Sequence, residues 1–290
     1  MSATPLTWGG RSIPASGGLP AVAVSLTGPS LAQARTQAHS AVDAGADVLE
    51  LRVDLLEETG ALAAPEPLDA ATAAAQVLEC LRGLGEIIAA DGADAGAGAA
   101  LLLTCRTAAE GGRARLDDAA YTALLHSVLD GLADWAPECR PAAIDVEVQR
   151  GCLPQVCAQA HALSIDVVAS FHDFEATPAD EALEEVLARM AREGADLAKI
   201  AVWPTTADDV ARLLGVCARA TAGAGEGADL GVPVAAMSMG ALGAVSRVAP
   251  AFGSALTFAV VPDGQGQSRA SAPGQLPLQD VRRCLELLRA

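Results

Sequence analysis

The chain of 290 residues contains a single lysine, Lys199, and its 18 other basic side chains are all arginines. Lys199 lies within an apolar run from residue 197 to residue 202, which is typical of a short buried strand. Burial disfavours the ammonium form of a lysine, and a neutral amine can attack a carbonyl carbon to form a Schiff base. The alternative is an ordinary surface lysine whose stem lies along a strand end while its charge reaches water.

Side chains that could take part in catalysis or binding also lie at the ends of other predicted strands. Arg106 and Glu110 follow the third strand, His172 and Asp173 end the fifth, and Arg247 follows the seventh. A histidine at a strand end beside the lysine strand is suited to carry protons. The remaining histidines fall within predicted helices, and we interpret them as surface or helix-packing residues: His39, His126 and His161.

Ionisable residues also alternate within two predicted strands, which places each set on one face of its strand. The sets are Glu50, Arg52 and Asp54 in the second strand, and Asp145 and Glu147 in the fourth. A charge that points into a fold must be paired or must meet a ligand, since an isolated buried charge costs several kcal/mol. We interpret four residues as ligand contacts: Glu50, Arg52, Arg106 and Arg247. We interpret three carboxylates as counter-ions of the arginines or of Lys199: Asp54, Asp145 and Glu147.

These residues must be positioned by a repeated pattern of strand followed by helix. Eight apolar strands are predicted, at 21–26, 48–56, 101–107, 142–148, 165–174, 197–203, 232–239 and 255–261. Helical segments follow them, the second ending near residue 90, and Ala/Gly-rich tracts at 91–99 and 222–228 are predicted to be surface insertions. Eight such units predict an α/β fold, a single (β/α)8 TIM barrel over residues 21–290, preceded by a leader or short hairpin at 1–20.

Composition narrows the possible partners. A net charge of −17 and a pI near 4.5 argue against nucleic acid or an anionic membrane. The seven cysteines form no pair with metal-ligand spacing, so we expect free thiols in a reducing compartment. No apolar run approaches 18 residues. The sequence predicts a cytoplasmic protein that acts on a small molecule without a metal or flavin cofactor.

The motifs together resemble the type I 3-dehydroquinate dehydratases, the Schiff-base enzymes of the shikimate pathway. The resemblance extends from about Ser25 to Gln275 and depends on eight motifs in the order of the family. They are Glu50-Leu-Arg52-Val-Asp54, Thr104-Cys-Arg106 with Glu110-Gly-Gly, Asp145-Val-Glu147, Ser170-Phe-His172-Asp-Phe, Gly194-Ala-Asp-Leu-Ala-Lys199, Met237-Ser-Met239-Gly with Gly243-Ala-Val-Ser-Arg247, Phe252-Gly-Ser-Ala-Leu-Thr-Phe258 and Ser271-Ala-Pro-Gly-Gln275.

The resemblance implies that 3-dehydroquinate loses water to give 3-dehydroshikimate in the biosynthesis of aromatic amino acids. Lys199 would form the imine at the C3 ketone, His172 would move the protons, and Glu110 would orient His172. Arg247 would bind the substrate carboxylate, and Glu50, Arg52 and Arg106 would contact its hydroxyl or carboxylate groups. The family is commonly dimeric. The remaining implied positions are a closing loop with Ser271 and Gln275, and a pocket wall of Ser25, Met237, Met239, Phe258 and Ala272.

Three segments depart from the family pattern: the Ala/Gly-rich tracts at 91–99 and 222–228, and residues 262–269, which make the chain longer before Ser271. We expect residues 262–269 to be mobile, and Ser271 and Gln275 to be ordered only when a ligand offers them hydrogen-bond partners. Two other functions remain open. One is a different Schiff-base reaction on the same scaffold, such as aldol cleavage. The other is a catalytically silent barrel that binds a metabolite.

Overall fold

Eight parallel strands curl into a barrel in the computed structural model, which describes residues 3–15, 18–64, 68–95, 98–222, 230–262 and 270–289. An antiparallel hairpin precedes them, formed by β1 (Leu6–Trp8) and β2 (Arg11–Ile13). The barrel strands are β3 (Ala21–Leu26), β4 (Val48–Arg52), β5 (Ala100–Thr104), β6 (Ala143–Glu147), β7 (Asp166–Asp173), β8 (Leu197–Val202), β9 (Val234–Ser238) and β10 (Leu256–Val260).

Each strand from β3 to β8 pairs in parallel with the next, and β10 returns to pair with β3. Between β9 and β10 the barrel is closed by a hydrogen bond from the Ala255 amide to the Val234 carbonyl, 2.7 Å long. A two-residue strand, β11 (Leu276–Pro277), adds to β10. The predicted (β/α)8 fold is confirmed.

Helices pack around the outside of the barrel. They are α1 (Leu31–Asp43), α2 (Ala70–Ala95), α3 (Asp118–Leu132), α4 (Leu153–Ala162), α5 (Asp180–Arg192), α6 (Ala207–Thr221), α7 (Gly240–Gly243) and α8 (Leu278–Leu287). Alternate strand residues face them, such as Ile144 and Val146 of β6 and Ile200 of β8. None of these helices, within the part of the chain described, has the length and apolar character needed to span a bilayer.

The barrel interior is apolar at one end and polar at the other. Near the amino ends of the strands, residues such as Val48, Leu102 and Val168 form an interior cluster. The hairpin adds Trp8 and Ile13 to this cluster, and the Trp8 indole donates a 2.7 Å hydrogen bond to Asp166. The inward positions near the carboxyl ends carry the ionisable residues instead. The polar end is therefore where chemistry is possible.

Several boundaries differ from the sequence-based predictions. The second strand ends at Arg52, and short 3-10 helices follow at Val53–Leu55 and Glu57–Ala63, so the prediction of a strand to residue 56 was wrong. Helix α2 continues to Ala95, five residues beyond the predicted end, and includes the first half of the tract that we interpreted as an insertion. Most of the other tract (residues 223–228), and residues 263–269 of the long segment, lie outside the described residues.

Candidate active site

A cavity lies at the polar end of the barrel, and all but two of the predicted site residues line it. The predicted residues that line it are Glu50, Arg52, Arg106, Glu110, His172, Lys199, Met237, Arg247, Phe258, Ser271, Ala272 and Gln275. They come from six strands and the segments that follow them. The barrel thus brings together side chains that lie up to 225 positions apart in the chain, from Glu50 to Gln275.

Lys199 points into the barrel because its neighbours Ala198 and Ile200 face the helices. Its side chain is 5% exposed, and its Nζ donates a 3.0 Å hydrogen bond to Oδ2 of Asp145. Glu50 lies 3.6 Å from the same nitrogen, and the ring centroid of Phe258 lies 4.7 Å from it. The lysine is therefore an interior side chain and not the surface lysine of the alternative interpretation.

His172 and Glu110 form a pair at the cavity wall. Nδ1 of His172 lies 2.9 Å from Oε2 of Glu110, and the same oxygen accepts the His172 backbone N–H at 3.1 Å. Because Nδ1 is engaged by the carboxyl group, Nε2 is the ring nitrogen left for a substrate. Burial, together with the cations Arg106, Lys199 and Arg52, lowers the pKa of His172 well below its ordinary value. His172 is therefore a neutral base at pH 7.

Glu110 is held by a tight turn after β5. Gly111 has a φ of +80°, and a methyl group there would also collide with the ring of Phe174. A methyl group on Gly112 would collide with the Arg106 backbone. The Glu-Gly-Gly motif is thus required by local geometry. Burial raises the pKa of Glu110 to about 8, with Arg106 opposing the rise and Glu147 and Asp145 adding to it.

Arg106 is surrounded by acceptors. Its Nη1 donates to Ser170 at 2.9 Å, to Glu147 at 3.2 Å and to Glu110 at 3.4 Å, while Nη2 donates to Asp145 at 2.8 Å. Although burial opposes it, Arg106 followed by Lys199 lowers the pKa of Asp145 below its ordinary value. We predicted Arg106 to contact the ligand. The structure gives its guanidinium a second task, holding the acidic residues around the reacting groups.

The three residues of the second strand motif divide between two tasks. Glu50 accepts a 2.9 Å hydrogen bond from Thr104 and a further one from Ser25, and its carboxylate faces Lys199. Arg52 donates two 2.8 Å hydrogen bonds to Asp54, which lies in the 3-10 turn and not on the strand face as predicted. Asp54 therefore acts as the counter-ion of Arg52, as we interpreted it from the sequence.

Arg247 differs from the other arginines of the site. It is 2% exposed, and its Nη1 and Nη2 reach only the carbonyl oxygens of Phe258 and Pro273, at 3.4 and 3.2 Å. Its Nε has no partner, and burial alone lowers its pKa to about 10. Among the described residues it has no ion pair with a carboxylate. A buried guanidinium without a counter-ion is prepared for an anionic ligand.

The segment after residue 270 covers the side of the cavity next to β3. Ser271 donates a 2.8 Å hydrogen bond to the hydroxyl of Ser25, and Gln275 exchanges two 3.0 Å hydrogen bonds with Ser271. Ser271 and Gln275 therefore already have hydrogen-bond partners in each other and in Ser25, besides any that a ligand would add.

Two predicted wall residues do not line the cavity. The hydroxyl of Ser25 is directed to Glu50 and Ser271, so it supports the wall from behind. Met239 is fully buried in the interior cluster, one residue past the end of β9. Sequence reasoning missed three lining residues, namely Gly111, Ala201 and Phe174. Phe174 could have been found from its place in the Ser-Phe-His-Asp-Phe motif.

The described residues contain no group of three or more His, Cys, Asp or Glu side chains that could hold a metal ion. All seven cysteines are free thiols. The functional groups of the site are the amine of Lys199, the imidazole of His172, the carboxyl group of Glu110, whose pKa is raised, and the guanidinium of Arg247, which has no carboxylate partner among the described residues.

Comparison with protein families gives a match over almost the whole chain. The model of the type I 3-dehydroquinase family matches residues 22–290. A 3-dehydroquinate dehydratase of Lactiplantibacillus plantarum is 37% identical over 276 residues, which are 93% of each chain. A 3-dehydroquinate dehydratase of Klebsiella pneumoniae is 35% identical over 271 residues, which are 92% of each chain.

Solved structures agree with these sequence relatives. The 3-dehydroquinate dehydratase of Geobacillus kaustophilus superposes with a TM-score of 0.79 at 29% identity, covering 99% of this chain and 97% of that one. A type I 3-dehydroquinate dehydratase of Clostridium difficile, solved with covalently modified comenic acid, gives a TM-score of 0.78 at 28% identity, covering 99% and 98%.

Proposed function

The chain belongs to the type I 3-dehydroquinase family, and we propose that it dehydrates 3-dehydroquinate to 3-dehydroshikimate through an imine on Lys199. As a hydro-lyase of the shikimate pathway, it serves the biosynthesis of aromatic compounds. The observation that carries the proposed site is the position of the only lysine. It lies inside a cavity that also holds an acid–base pair and an unpaired arginine. Development of enone absorbance on adding 3-dehydroquinate tests the reaction, and a flat trace would refute it.

In the first step, the neutral Lys199 amine adds to the C3 ketone, and the resulting carbinolamine takes up one proton and loses water, giving an iminium ion. This cation attracts the electrons of the neighbouring C2–H bond. Asp145, 3.0 Å from Nζ, and Glu50, 3.6 Å away, are placed to balance the iminium charge. The lysine therefore supplies the electron sink without a cofactor.

In the second step, Nε2 of His172 removes the C2 proton, and the electron pair moves into the iminium to give an enamine. The enamine electrons then expel the C1 hydroxyl group, which takes the proton from His172 and leaves as water. Hydrolysis of the conjugated iminium releases the product and restores Lys199. Glu110 holds His172 through Nδ1 and the backbone N–H in every step.

The acid–base pair also discriminates against aldol cleavage. Cleavage of a carbon–carbon bond needs a base beside a hydroxyl group, whereas a base beside a C–H bond favours elimination. The silent barrel is disfavoured because every group needed for the elimination lies around one cavity.

Arg247 is proposed to bind the substrate carboxylate. Replacing Arg247 by Met should raise KM and lower kcat/KM by about 10²-fold, because the substrate anion loses a charge-assisted partner. The free variant should also unfold at a higher temperature, by a few degrees, because an unpaired buried charge has been removed. Steady-state kinetics and thermal unfolding check both results. Arg247→Lys is the matched control, since it keeps the charge but loses the planar fork.

An Arg247→Met variant with unchanged kcat/KM would contradict the assignment of the carboxylate site. A variant that loses stability as well as activity would show that the guanidinium is a structural residue.

We further propose that the protein is a cytoplasmic homodimer. Its free cysteines suit a reducing compartment. Leu242 and Val245 are 49% and 52% exposed in the connection after β9. Helix α8 packs against the same connection, and its last residue, Leu287, and the following Leu288 are also exposed. Between residues 240 and 252 the only charged residue is the buried Arg247. A second copy that also carries a charge of −17 can approach such a neutral apolar surface with the least repulsion.

Light scattering should give twice the chain mass for the native protein and the single chain mass for Val245→Glu. Ala158→Glu, which adds the same charge to an exposed position of α4, should remain dimeric. A native monomer would contradict the homodimer, and a dimeric Val245→Glu would place the interface elsewhere.

A further inference from the structure

Phe174 lies at the mouth of the cavity, just after β7. It is 38% exposed, which is unusual for a phenylalanine, yet its ring lines the cavity and packs against Gly111. Gly111 is the residue after Glu110, and Phe174 is the second residue after His172. The ring therefore belongs to a residue two positions from His172 and contacts the residue next to Glu110.

The acid–base pair is unusually dry for a site at a cavity mouth. The His172 side chain is 10% exposed and that of Glu110 is 6% exposed. The second carboxyl oxygen of Glu110, Oε1, is buried and has no hydrogen-bond partner. Because this oxygen is buried although the pair lies near the mouth, a neighbouring group must cover it. The ring against Gly111 is the apolar group placed to do this.

From this packing we infer that Phe174 is a positioning residue whose ring excludes water from His172 and Glu110 and so keeps His172 in its neutral, proton-accepting form. The inference rests on the proposed function, since it concerns the base of that reaction. Burial is the largest cause of both the lowered pKa of His172 and the raised pKa of Glu110. A ring that maintains burial therefore acts on both groups.

Other charged groups around His172 come from every neighbouring element. They are Glu50 and Arg52 on β4, Arg106 and Glu110 after β5, Asp145 and Glu147 on β6, Lys199 on β8, and Arg247 after β9. Replacement of Phe174 removes no charge and no hydrogen bond from this set. A change in the titration of His172 in such a variant would therefore report hydration alone.

Phe174→Ala should admit water and weaken the desolvation of both groups. The pKa of His172 would rise toward its ordinary value, so the acid limb of kcat/KM would move to higher pH. We expect kcat/KM to fall by about tenfold at pH 5.5 but by less than about threefold at pH 8. The His172 ring proton, assigned by its absence in His172→Ala, should titrate at higher pH by NMR in Phe174→Ala.

Two variants complete the experiment. Phe174→Leu keeps an apolar cover and should restore most of the native pH profile. Phe252→Ala removes a phenylalanine of matched exposure, 37%, that does not line the cavity, and it should keep the native profile. An unmoved His172 titration in Phe174→Ala would overturn the inference, and so would equal changes in Phe252→Ala. Neither result would bear on the proposed function, which is tested separately by enone absorbance in the native protein and by the activity of Lys199→Ala.

Discussion

Lys199→Ala should lose turnover of 3-dehydroquinate by at least about 10⁴-fold, because the nucleophile that forms the covalent intermediate is gone. The chain offers an unusually clean form of this experiment. Lys199 is its only lysine, so borohydride added during turnover can reduce an imine at one side-chain amine only. The native protein should therefore gain one substrate-derived mass, and a peptide map should place it on the segment that contains β8.

Lys199→Ala serves as its own labelling control. The α-amino group is the other primary amine of the polypeptide, and any label that it takes up should persist in Lys199→Ala. Lys199→Arg keeps the charge beside Asp145 and Glu50 but cannot form an imine, so it should be as inactive as Lys199→Ala and better folded. Activity in either variant, or an adduct at another position, would contradict the imine mechanism.

The position of Lys199 could be predicted because strand alternation is a local rule. Leu197, Lys199 and Ala201 share one face of β8, and Ala198 and Ile200 share the other. The same rule placed Glu50, Asp145 and Met237 inside the barrel. Eight repeats of strand and helix predict a parallel barrel, in which the carboxyl ends of all the strands lie at one end. The residues of the cavity could therefore be predicted from the fold.

The rule fails where a strand ends. Asp54 was predicted on the strand face with Arg52, but the backbone turns after Arg52 and lets the carboxylate pair with it side by side. Met239 follows the alternation, yet it is fully buried and does not line the cavity. Strand ends depend on the packing of the next segment, which no short-range pattern in the chain records.

The different roles of the arginines also could not be predicted from the sequence. Arg106 and Arg247 both follow strands and both line the cavity. Only the three-dimensional contacts show that Arg106 already has Asp145 and Glu147 as partners, while Arg247 has no carboxylate within reach among the described residues. Which arginine is available to a ligand depends on pairing between distant elements, and pairing is a property of the fold.

His172→Ala should lower kcat by about 10² to 10⁴-fold, the usual loss when a general acid–base group is removed. Imine formation needs only Lys199 and the ketone, so borohydride should still label the variant, although more slowly. This difference separates the proton carrier from the nucleophile, because Lys199→Ala loses labelling and turnover together. Rapid-quench measurement of the adduct alongside steady-state turnover would show the two steps independently. His39→Ala, on the exposed face of α1, is the matched control and should keep full activity.

The pH profile provides the second part of this prediction. Burial, followed by the cations Arg106, Lys199 and Arg52, lowers the pKa of His172. The neutral base therefore persists below pH 6.5, and native activity should fall only in more acidic buffer.

Burial raises the pKa of Glu110 to about 8, so the carboxyl group of the pair ionises as pH rises through that value. An anionic Glu110 stabilises a protonated His172, which makes the imidazolium a weaker donor of the proton that must pass to the leaving hydroxyl group. Glu110→Gln removes this ionisation while keeping the shape of the side chain, so its profile should lose any limb near pH 8 and retain the acid limb. A limb near pH 8 that persists in Glu110→Gln would belong to another group. An acid limb at the ordinary pKa of histidine would mean that His172 is hydrated in solution and is not a buried base.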